Sequence, residues 1–319
     1  MTLNGQSAPT FVFLVFVPLL FISGPVGGDH SKKTTKFLDE TGHEWQKREP
    51  SEDVSDEQMR MVNSDVTQPN QYPYMVSLAA VKSNDRIYTF CGGSLISSNA
   101  ILTAAHCVTE RSSTILKNIK SLRVLLGAHE LSGKKNDAQL IRNVVKIKIH
   151  EKYNPQNWFN DIAILTLELP VKFTQTISPV CLPPQGTTDL YDGRLVFAKG
   201  WGLTEETGKS SDFLRHVSKR IVSHEKCRQI FKAKHYPDHM MCAYERGKGT
   251  CQGDSGGPLV IKSNNSPKCK YEQVGIVSWG HGNYFASYTL QMREAWTSRR
   301  FHESDVVLAL DQDEHEIAN

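Results

Sequence analysis

The sequence predicts an all-β fold, built as a barrel or a sandwich, for most of the chain. From Tyr74 onward, short runs rich in Val, Ile, Leu and Tyr alternate with Gly, Asn, Pro and Ser. Examples are YMVSLAAV, LRVLLG, VVKIKI, IAILTL and VGIVSW. Short apolar runs separated by turn residues are typical of strands in all-β folds. Helical periodicity and internal repeats are not evident, which favours this class over helical and repeat folds.

The N-terminus predicts a secretory signal peptide over residues 1–28. Twelve mostly apolar residues, Phe11 to Ile22, are too few to span a bilayer as a helix. Small residues follow, with Val26 and Gly28 placed for cleavage before Asp29. A buried N-terminal strand is the alternative, but charged, turn-rich sequence follows at once. We therefore expect a secreted, extracellular protein with no membrane association.

Residues 29–60 have the composition of a flexible pro-segment. They contain nine Asp or Glu against six Lys or Arg, with too little apolar surface to form a core. Because the whole chain has a net charge of +3, the positive excess belongs to the residues that follow. That excess is small, and no basic run is interleaved with aromatic residues. Nucleic acid is therefore not an expected partner.

Seven cysteines, all between Cys91 and Cys269, indicate how the chain is cross-linked. In a secreted protein they suggest a disulfide framework with one thiol left over. No zinc site is predicted, because none of the six His-Glu pairs has a second His at the spacing that a zinc-protease helix needs. We expect no metal and no cofactor.

Three short strings carry residues suited to nucleophilic catalysis. LTAAHC contains His106, NDIAILTL contains Asp161 and GDSGGP contains Ser255. A serine is a poor nucleophile unless a base takes its proton, and the base needs a third group to hold its tautomer. The glycines around Ser255 serve a second purpose, since Gly253 can offer its N–H to an oxyanion beside the N–H of Ser255.

In this order and setting, the three strings resemble the chymotrypsin/trypsin family of serine proteases. The runs CGGSLIS, PVCLP, KGWGLT and VGIVSWG extend the likeness, and we assign residues 61–290 to a serine protease domain. The resemblance implies two six-stranded antiparallel barrels with the site in the cleft between them. It also implies a serine endopeptidase that works through an acyl-enzyme, with protein or peptide substrates and protein inhibitors as partners.

The resemblance assigns roles by position. His106 would be the general base and then the acid, Asp161 would orient it, and Ser255 would attack the scissile carbonyl. Gly253 and Ser255 would form the oxyanion hole. Ser278 matches a serine that supports the buried aspartate.

The resemblance also assigns the substrate-binding residues. Gly249 falls at the base of the primary pocket, where a trypsin-like enzyme carries Asp. Without that charge, burial of a cationic side chain would be unfavourable. An apolar or aromatic substrate residue is therefore expected immediately before the scissile bond. Gly280 would leave the pocket mouth open. Together with Ser278 and Trp279 it would form the edge that pairs with substrate as a β-strand.

Activation would require cleavage after Arg60 by a separate trypsin-like protease. The new ammonium group on Met61 would pair with Asp254, the carboxylate before the nucleophile, and set the oxyanion hole. Met-Val-Asn-Ser stands where the family has Ile-Val-Gly-Gly, and Ser64 tolerates the positive φ of a glycine poorly. An uncut surface loop is the alternative.

The resemblance implies two disulfides, Cys91–Cys107 and Cys227–Cys242. A third family pair is replaced on both sides, by Val196 and Ile261. The remaining cysteines are open to a Cys251–Cys269 bridge, a free thiol or an intermolecular link; they are Cys181, Cys251 and Cys269.

The C-terminal part is atypical. After Gly280 no cysteine follows, and the expected strand and closing helix are not recognisable. We assign residues 291–319 to an atypical tail. The departure puts in doubt the far wall of the pocket, the disulfide that would tie Cys251 to that wall, and the helix that closes the second barrel. The alternative function is therefore a non-catalytic secreted homologue with an incomplete pocket.

Overall fold

A computed structural model describes most of the chain from Ser64 to Gln291, together with two short strands before it. The described residues are 36–38, 44–46, 64–81, 86–131, 137–184, 187, 189–204, 209–231, 240–245, 249–250, 252–263, 269–281 and 284–291. The chain divides into two compact units, Met1–Asp56 and Glu57–Asn319.

The first unit contains a small antiparallel hairpin. Strand β1 (Lys36–Leu38) pairs with β2 (Glu44–Gln46), with Phe37 opposite Trp45. The composition of this predicted pro-segment indicates a flexible segment without regular structure. The difference is confined to six residues, which include aromatic residues that favour strands.

The first barrel of the second unit is closed by six antiparallel strands. Its strand order is β4-β5-β6-β9-β8-β7, which then returns to β4. A short helix, α1 (Ala105–Val108), follows β6 directly. The strands are β4 (Met75–Val81), β5 (Ile87–Leu95), β6 (Ala100–Thr103), β7 (Leu122–Leu126), β8 (Leu140–Ile149) and β9 (Ala163–Leu167). A 3₁₀ turn, Ile119–Ser121, precedes β7.

The second barrel is also closed by six antiparallel strands. The order β10-β13-β14-β15-β12-β11 is completed by pairing of β11 with β10, and β3 adds to β11 from outside the ring. The prediction of two six-stranded barrels is confirmed. The elements are β3 (Asp65–Val66), β10 (Leu195–Gly200), β11 (Arg215–Val222), α2 (His224–Phe231), β12 (Met240–Tyr244), β13 (Pro258–Lys262), β14 (Tyr271–His281) and β15 (Tyr284–Gln291).

Alternation along the strands fills each barrel with apolar side chains. The second barrel has its own buried cluster, which contains both Val196 and Ile261. These two residues stand where the resemblance places a cysteine pair. Their shared apolar surroundings fit the replacement of that cross-link by packing.

The C-terminal departure from the family does not leave the second barrel open. Strand β15 pairs with β14, with Val277 opposite Thr289, and with β12, with Met241 opposite Thr289. A strand therefore supplies the sixth position of this barrel, and the closing helix that the sequence puts in doubt lies outside the described residues. The predicted tail begins at Gln291, the last residue of β15, and its remainder lies outside the described residues.

Three disulfides cross-link the described residues. Cys91–Cys107 and Cys227–Cys242 are the two pairs that the resemblance implied. The third joins Cys181 to Cys269, so the Cys251–Cys269 alternative is wrong in this structure. The physical reason is the approach of the two chain segments, since the N–H of Gln273 donates to the Cys181 carbonyl at 2.8 Å. Cys251 lies outside the described residues.

No helix among the residues that the structure describes is long and apolar enough to cross a membrane.

Candidate active site

A buried carboxylate holds the imidazole that the sequence singles out. Asp161 is fully buried, and its Oδ2 lies 2.7 Å from Nδ1 of His106. The other oxygen, Oδ1, accepts the backbone N–H of His106 at 2.9 Å. Both the ring and the main chain of His106 are thus fixed by one carboxylate. Its side chain keeps 16% of its surface exposed, so the far edge of the ring reaches the cleft.

Ser278 completes the surroundings of this carboxylate. Its Oγ donates a hydrogen bond to Oδ2 of Asp161. Tyr153 lies nearby, and burial, reinforced by the Asp161 charge, raises the pKa of its hydroxyl to about 12. Asp161 thus accepts hydrogen bonds from the ring and the main chain of His106 and from Ser278, which together fix the position of its carboxylate.

The loop of Ser255 is seated directly on the first barrel. The Ser255 carbonyl accepts the N–H of Gly92 at 2.8 Å. Gly256 has φ +78° and lies so close to the end of β6 that a Cβ there would overlap Thr103 Oγ1. Since the helix carrying His106 follows β6 at once, this packing brings the serine loop next to the histidine. Only a glycine meets both the backbone and the space requirement.

The described residues contain no hydrogen bond between the Ser255 hydroxyl and His106. Nε2 of the ring lies 3.7 Å from Cys107 Sγ instead. In enzymes without substrate the hydrogen bond from nucleophile to base is often long and tightens only in the complex. The structure therefore brings His106 and Asp161 into contact, and it brings Ser255 beside them without that bond.

Two backbone N–H groups of the Ser255 loop are available as hydrogen-bond donors. Within the described part of the chain, the N–H groups of Gly253 and Ser255 have no hydrogen-bond acceptor. Gly253 has φ +97°, and a Cβ on it would lie 2.9 Å from the Cα of Gly202. Two unpaired N–H groups beside a serine can stabilise an anionic oxygen.

Asp254, the residue between these donors, points into the protein. Its carboxylate is fully buried, and Oδ1 accepts the N–H of Gly202 at 2.9 Å. A Cβ on Gly202 would lie 2.7 Å from both carboxylate oxygens, and one on Gly200 would overlap Oδ1. The KGWGLT run therefore supplies the space for this side chain, and the sequence analysis missed that role.

Comparison with known proteins adds to this geometry. A family model described as Trypsin matches residues 61–290. The chain belongs to the trypsin family of serine proteases. This membership agrees with the two barrels and with the resemblance stated from the motifs.

Several curated relatives are similar over much of this domain. Trypsin-1 of Astacus astacus is 35% identical over 214 residues, which are 66% of this chain and 85% of that protein. Venom serine protease 34 of Apis mellifera is 33% identical over 229 residues, 69% of this chain and 53% of that protein. Proclotting enzyme of Tachypleus tridentatus is 39% identical over 197 residues, 60% of this chain and 51% of that protein. The matched region spans about half the length of the last two.

The predicted substrate-binding residues lie in two places. Gly249 is buried in the segment before the serine loop. Ser278 is buried, Trp279 is half-buried and Gly280 is exposed along β14. Trp279, like Phe159, packs against the buried cluster that contains the Cys227–Cys242 disulfide. These positions are compatible with a pocket and an edge for substrate, and the preference for a side chain there remains a prediction.

The activation residues Arg60 and Met61 lie outside the described residues. The structure begins to describe this segment at Ser64, which is buried. Arg215 donates from Nε to Ser64 Oγ at 2.8 Å, a contact that a glycine could not make. The hydroxyl therefore anchors the chain three residues after Met61.

Trp158 is a site residue that the sequence analysis missed. Its ring meets the His106 ring edge-on, with centroids 4.7 Å apart. Its φ of +60° is uncommon for a bulky residue and marks a strained turn just before Asp161. The one sequence signal that could have identified Trp158 as a site residue is its place three positions before Asp161, a candidate catalytic aspartate.

One group of metal-ligating atoms also lies here, formed by Cys91, His106 and Cys107. The two sulfurs are bonded to each other, so neither is a thiolate able to bind a metal. His106 is held by Asp161. The donor set does not fit a metal centre.

Proposed function

We propose that this chain is the secreted zymogen of a serine endopeptidase. The observation that carries the proposal is the hydrogen-bonded set around Asp161, which fixes the ring and the main chain of His106. Packing of the Ser255 loop against the end of β6, just before the helix of His106, supports it. Membership of the trypsin family supports the reaction class. Because a fold alone never proves activity, these side chains carry the proposal.

The proposed reaction is hydrolysis of a peptide bond through an acyl-enzyme. His106 takes the proton of Ser255 as its oxygen attacks the scissile carbonyl, and Asp161 stabilises the imidazolium that forms. The N–H groups of Gly253 and Ser255 bind the developing oxyanion. His106 then donates its proton to the leaving amine, and water repeats the sequence to release the acid.

The proposed substrate has an apolar or aromatic residue before the cut. Gly249 brings no carboxylate to the base of the pocket, so a Lys or Arg side chain would lose its water without gaining a partner. The same pocket makes self-cleavage after Arg60 unfavourable. We therefore propose a separate trypsin-like protease as the activator, after which the Met61 ammonium pairs with Asp254.

The test is peptide hydrolysis by the chain cleaved after Arg60. A library varied at the residue before the cut should show turnover after Phe, Tyr or Leu and little after Lys or Arg. Ser255→Ala, prepared identically, is the control and should be inactive. Turnover that is equal in the Ser255→Ala protein, or preference for basic residues, contradicts the proposal.

A second function, that of a non-catalytic secreted homologue, is favoured by one observation. The described residues lack a hydrogen bond between Ser255 and His106, and the sequence leaves the family pattern just after Gly280. If this function holds, the cleaved protein folds with a normal melting temperature but cleaves no peptide in the library. Peptide cleavage that requires Ser255 excludes it.

A further inference from the structure

The loop of Ser255 is hydrogen-bonded to a different strand on each side. On one side, the N–H of Gly256 donates to the Val277 carbonyl of β14 at 2.7 Å. On the other side, the Ser255 carbonyl accepts the N–H of Gly92 on β5 at 2.8 Å. In the proposed function, the substrate residues before the scissile bond pair with the edge of β14. An extended substrate that crosses the site therefore has its residues after that bond on the side of β5.

Strand β5 reaches the site at the disulfide that holds the helix of His106. Cys91, the residue before Gly92, is bonded to Cys107, the residue after His106. Phe90 precedes Cys91 on β5 and is half-buried. The Phe90 ring and the main chain of Cys107 therefore belong to the surface next to the proposed base.

A lysine amine is held at this surface. Nζ of Lys117 donates to the Cys107 carbonyl at 2.8 Å and lies 4.5 Å from the centroid of the Phe90 ring. The backbone N–H of Lys117 donates to the Val108 carbonyl at 2.9 Å, which fixes its main chain against the helix of His106. Both the backbone and the amine of this lysine are thus positioned on the β5 side of the site.

The ammonium of Lys117 is partly removed from water. The residue is half-buried, and burial lowers the pKa of its amine, while the charge of exposed Glu110 acts in the opposite direction. Within the described part of the chain, no carboxylate forms an ion pair with Lys117. One carbonyl uses only one of the three N–H donors of an ammonium. A carboxylate that reaches this place meets a partly desolvated cation, where attraction between charges is stronger than in bulk water.

We propose that Lys117 and Phe90 form a binding subsite for an acidic side chain, Asp or Glu, within the first two substrate residues after the scissile bond. This inference rests on the proposed function, whose specificity concerns the residue before the bond. The substrate carboxylate accepts from Nζ of Lys117, and the methylene groups beside that carboxylate pack on the Phe90 ring. The enzyme then selects its substrates on both sides of the bond that it cuts.

The test compares peptides that differ only after the scissile bond. The chain cleaved after Arg60 receives paired peptides that carry Glu or Gln at the first or the second position after the bond. All have the residue before the bond that the wild type prefers. A nitroanilide with the same residues before the bond has no amino acid after it, so its hydrolysis by the wild type tests the proposed function separately.

Three variants accompany the wild type. Lys117→Met keeps the length of the side chain without its charge, and Lys117→Glu reverses the charge. Lys120→Met is the matched control, because Lys120 is an exposed lysine three residues further along the same segment. The melting temperature of each variant checks that it folds, and each variant is judged by the ratio of its kcat/KM values for the Glu and Gln peptides.

We expect the wild type to cleave the Glu peptide about tenfold better than the Gln peptide at one of the two positions, the usual effect of a hydrogen bond to a charged group. Lys117→Met should bring this ratio close to one, and Lys117→Glu should reverse the preference. Lys120→Met should keep the ratio of the wild type. Because salt screens charges that water reaches, the wild-type ratio should fall as the ionic strength rises from about 0.05 to 0.5 M.

The outcomes that overturn the proposal are distinct. Equal cleavage of the Glu and Gln peptides at both positions, or a Glu preference that survives in Lys117→Met, removes the subsite while hydrolysis of the nitroanilide upholds the proposed function. A ratio that falls as much in Lys120→Met as in Lys117→Met assigns the preference to the general positive charge of the domain, which also overturns the subsite. A cleaved wild type that hydrolyses neither the peptides nor the nitroanilide overturns the proposed function and this inference together.

Discussion

At the scale of single residues, the site depends on positions where no side chain fits. Gly256 and Gly253 adopt positive φ beside the proposed nucleophile. Gly202 has a different task, because its missing Cβ leaves room for the Asp254 carboxylate and its N–H binds that carboxylate. The geometry of the loop is therefore set partly from β10 and the residues that follow it.

Gly202→Ala should damage catalysis more than stability. The added Cβ would lie 2.7 Å from both Asp254 oxygens, so the carboxylate and the Gly253 N–H must move. We expect kcat/KM to fall by about 10²–10³-fold, the usual effect of losing one oxyanion donor. Gly193→Ala is the control, since it adds strain at φ +74° with nothing within 4 Å of the new atom. Equal kcat/KM values for the two variants would contradict this role.

Asp161→Asn should lower kcat while leaving the fold intact. An amide has one accepting oxygen, so it cannot serve the His106 ring and the Ser278 hydroxyl at one position and also accept the His106 backbone N–H at the other. With its NH₂ turned to the ring it favours the wrong tautomer. In related enzymes the same change lowers kcat by about 10⁴-fold. Steady-state kinetics with unchanged far-UV circular dichroism would support this, and a loss below tenfold would argue against a catalytic His106.

At the scale of elements, the disulfides connect segments that hydrogen bonds already bring together. Cys91–Cys107 joins β5 to the helix that carries His106. Cys181–Cys269 joins segments 88 residues apart, beside the hydrogen bond from Gln273 to Cys181. The long loop that it closes makes it the larger restraint on the unfolded chain.

Replacing Cys181 and Cys269 together by serine should therefore lower the free energy of unfolding by about 2–4 kcal/mol. Urea unfolding of the double variant and the parent measures the difference. Peptide mapping without reduction should recover the Cys181–Cys269 pair in the parent. Recovery of Cys251–Cys269 would instead show that the cross-link was assigned to the wrong partner.

The sequence was sufficient to predict most strands and the main site residues, because apolar runs and short motifs lie where the structure has them. The sequence did not lead to a prediction of β15, because the family pattern ends at Gly280. The Tyr, Phe and Thr residues of this strand favour β structure, and that signal was not used. Lys219, a fully buried lysine on β11, was not predicted either. Alternation along RHVSKRIV did place this lysine on the face of Val217 and Ile221, but motif searches pass over such a residue.

At the scale of the whole molecule, the buried Lys219 links stability to pH. Its pKa is about 7 in the folded protein and near 10.5 when exposed, so from pH 7 to about 10.5 the unfolded chain binds more protons. The free energy of unfolding of the wild type, relative to Lys219→Met, should therefore rise with pH across this window, by about 1.4 kcal/mol for each unit of pKa difference. Urea unfolding at several pH values tests this, and parallel curves would contradict a buried, titrating lysine.

Two barrels meet at a site to which both contribute: His106 and Asp161 come from the first, and Ser255 and Ser278 from the second. The most direct test of a catalytic site here is to treat the chain cleaved after Arg60 with an organophosphonate and locate the adduct by mass spectrometry. We expect one adduct per molecule on Ser255, and none in a His106→Ala protein that still folds. An adduct on other serines, or equal labelling without His106, would contradict an activated nucleophile at Ser255.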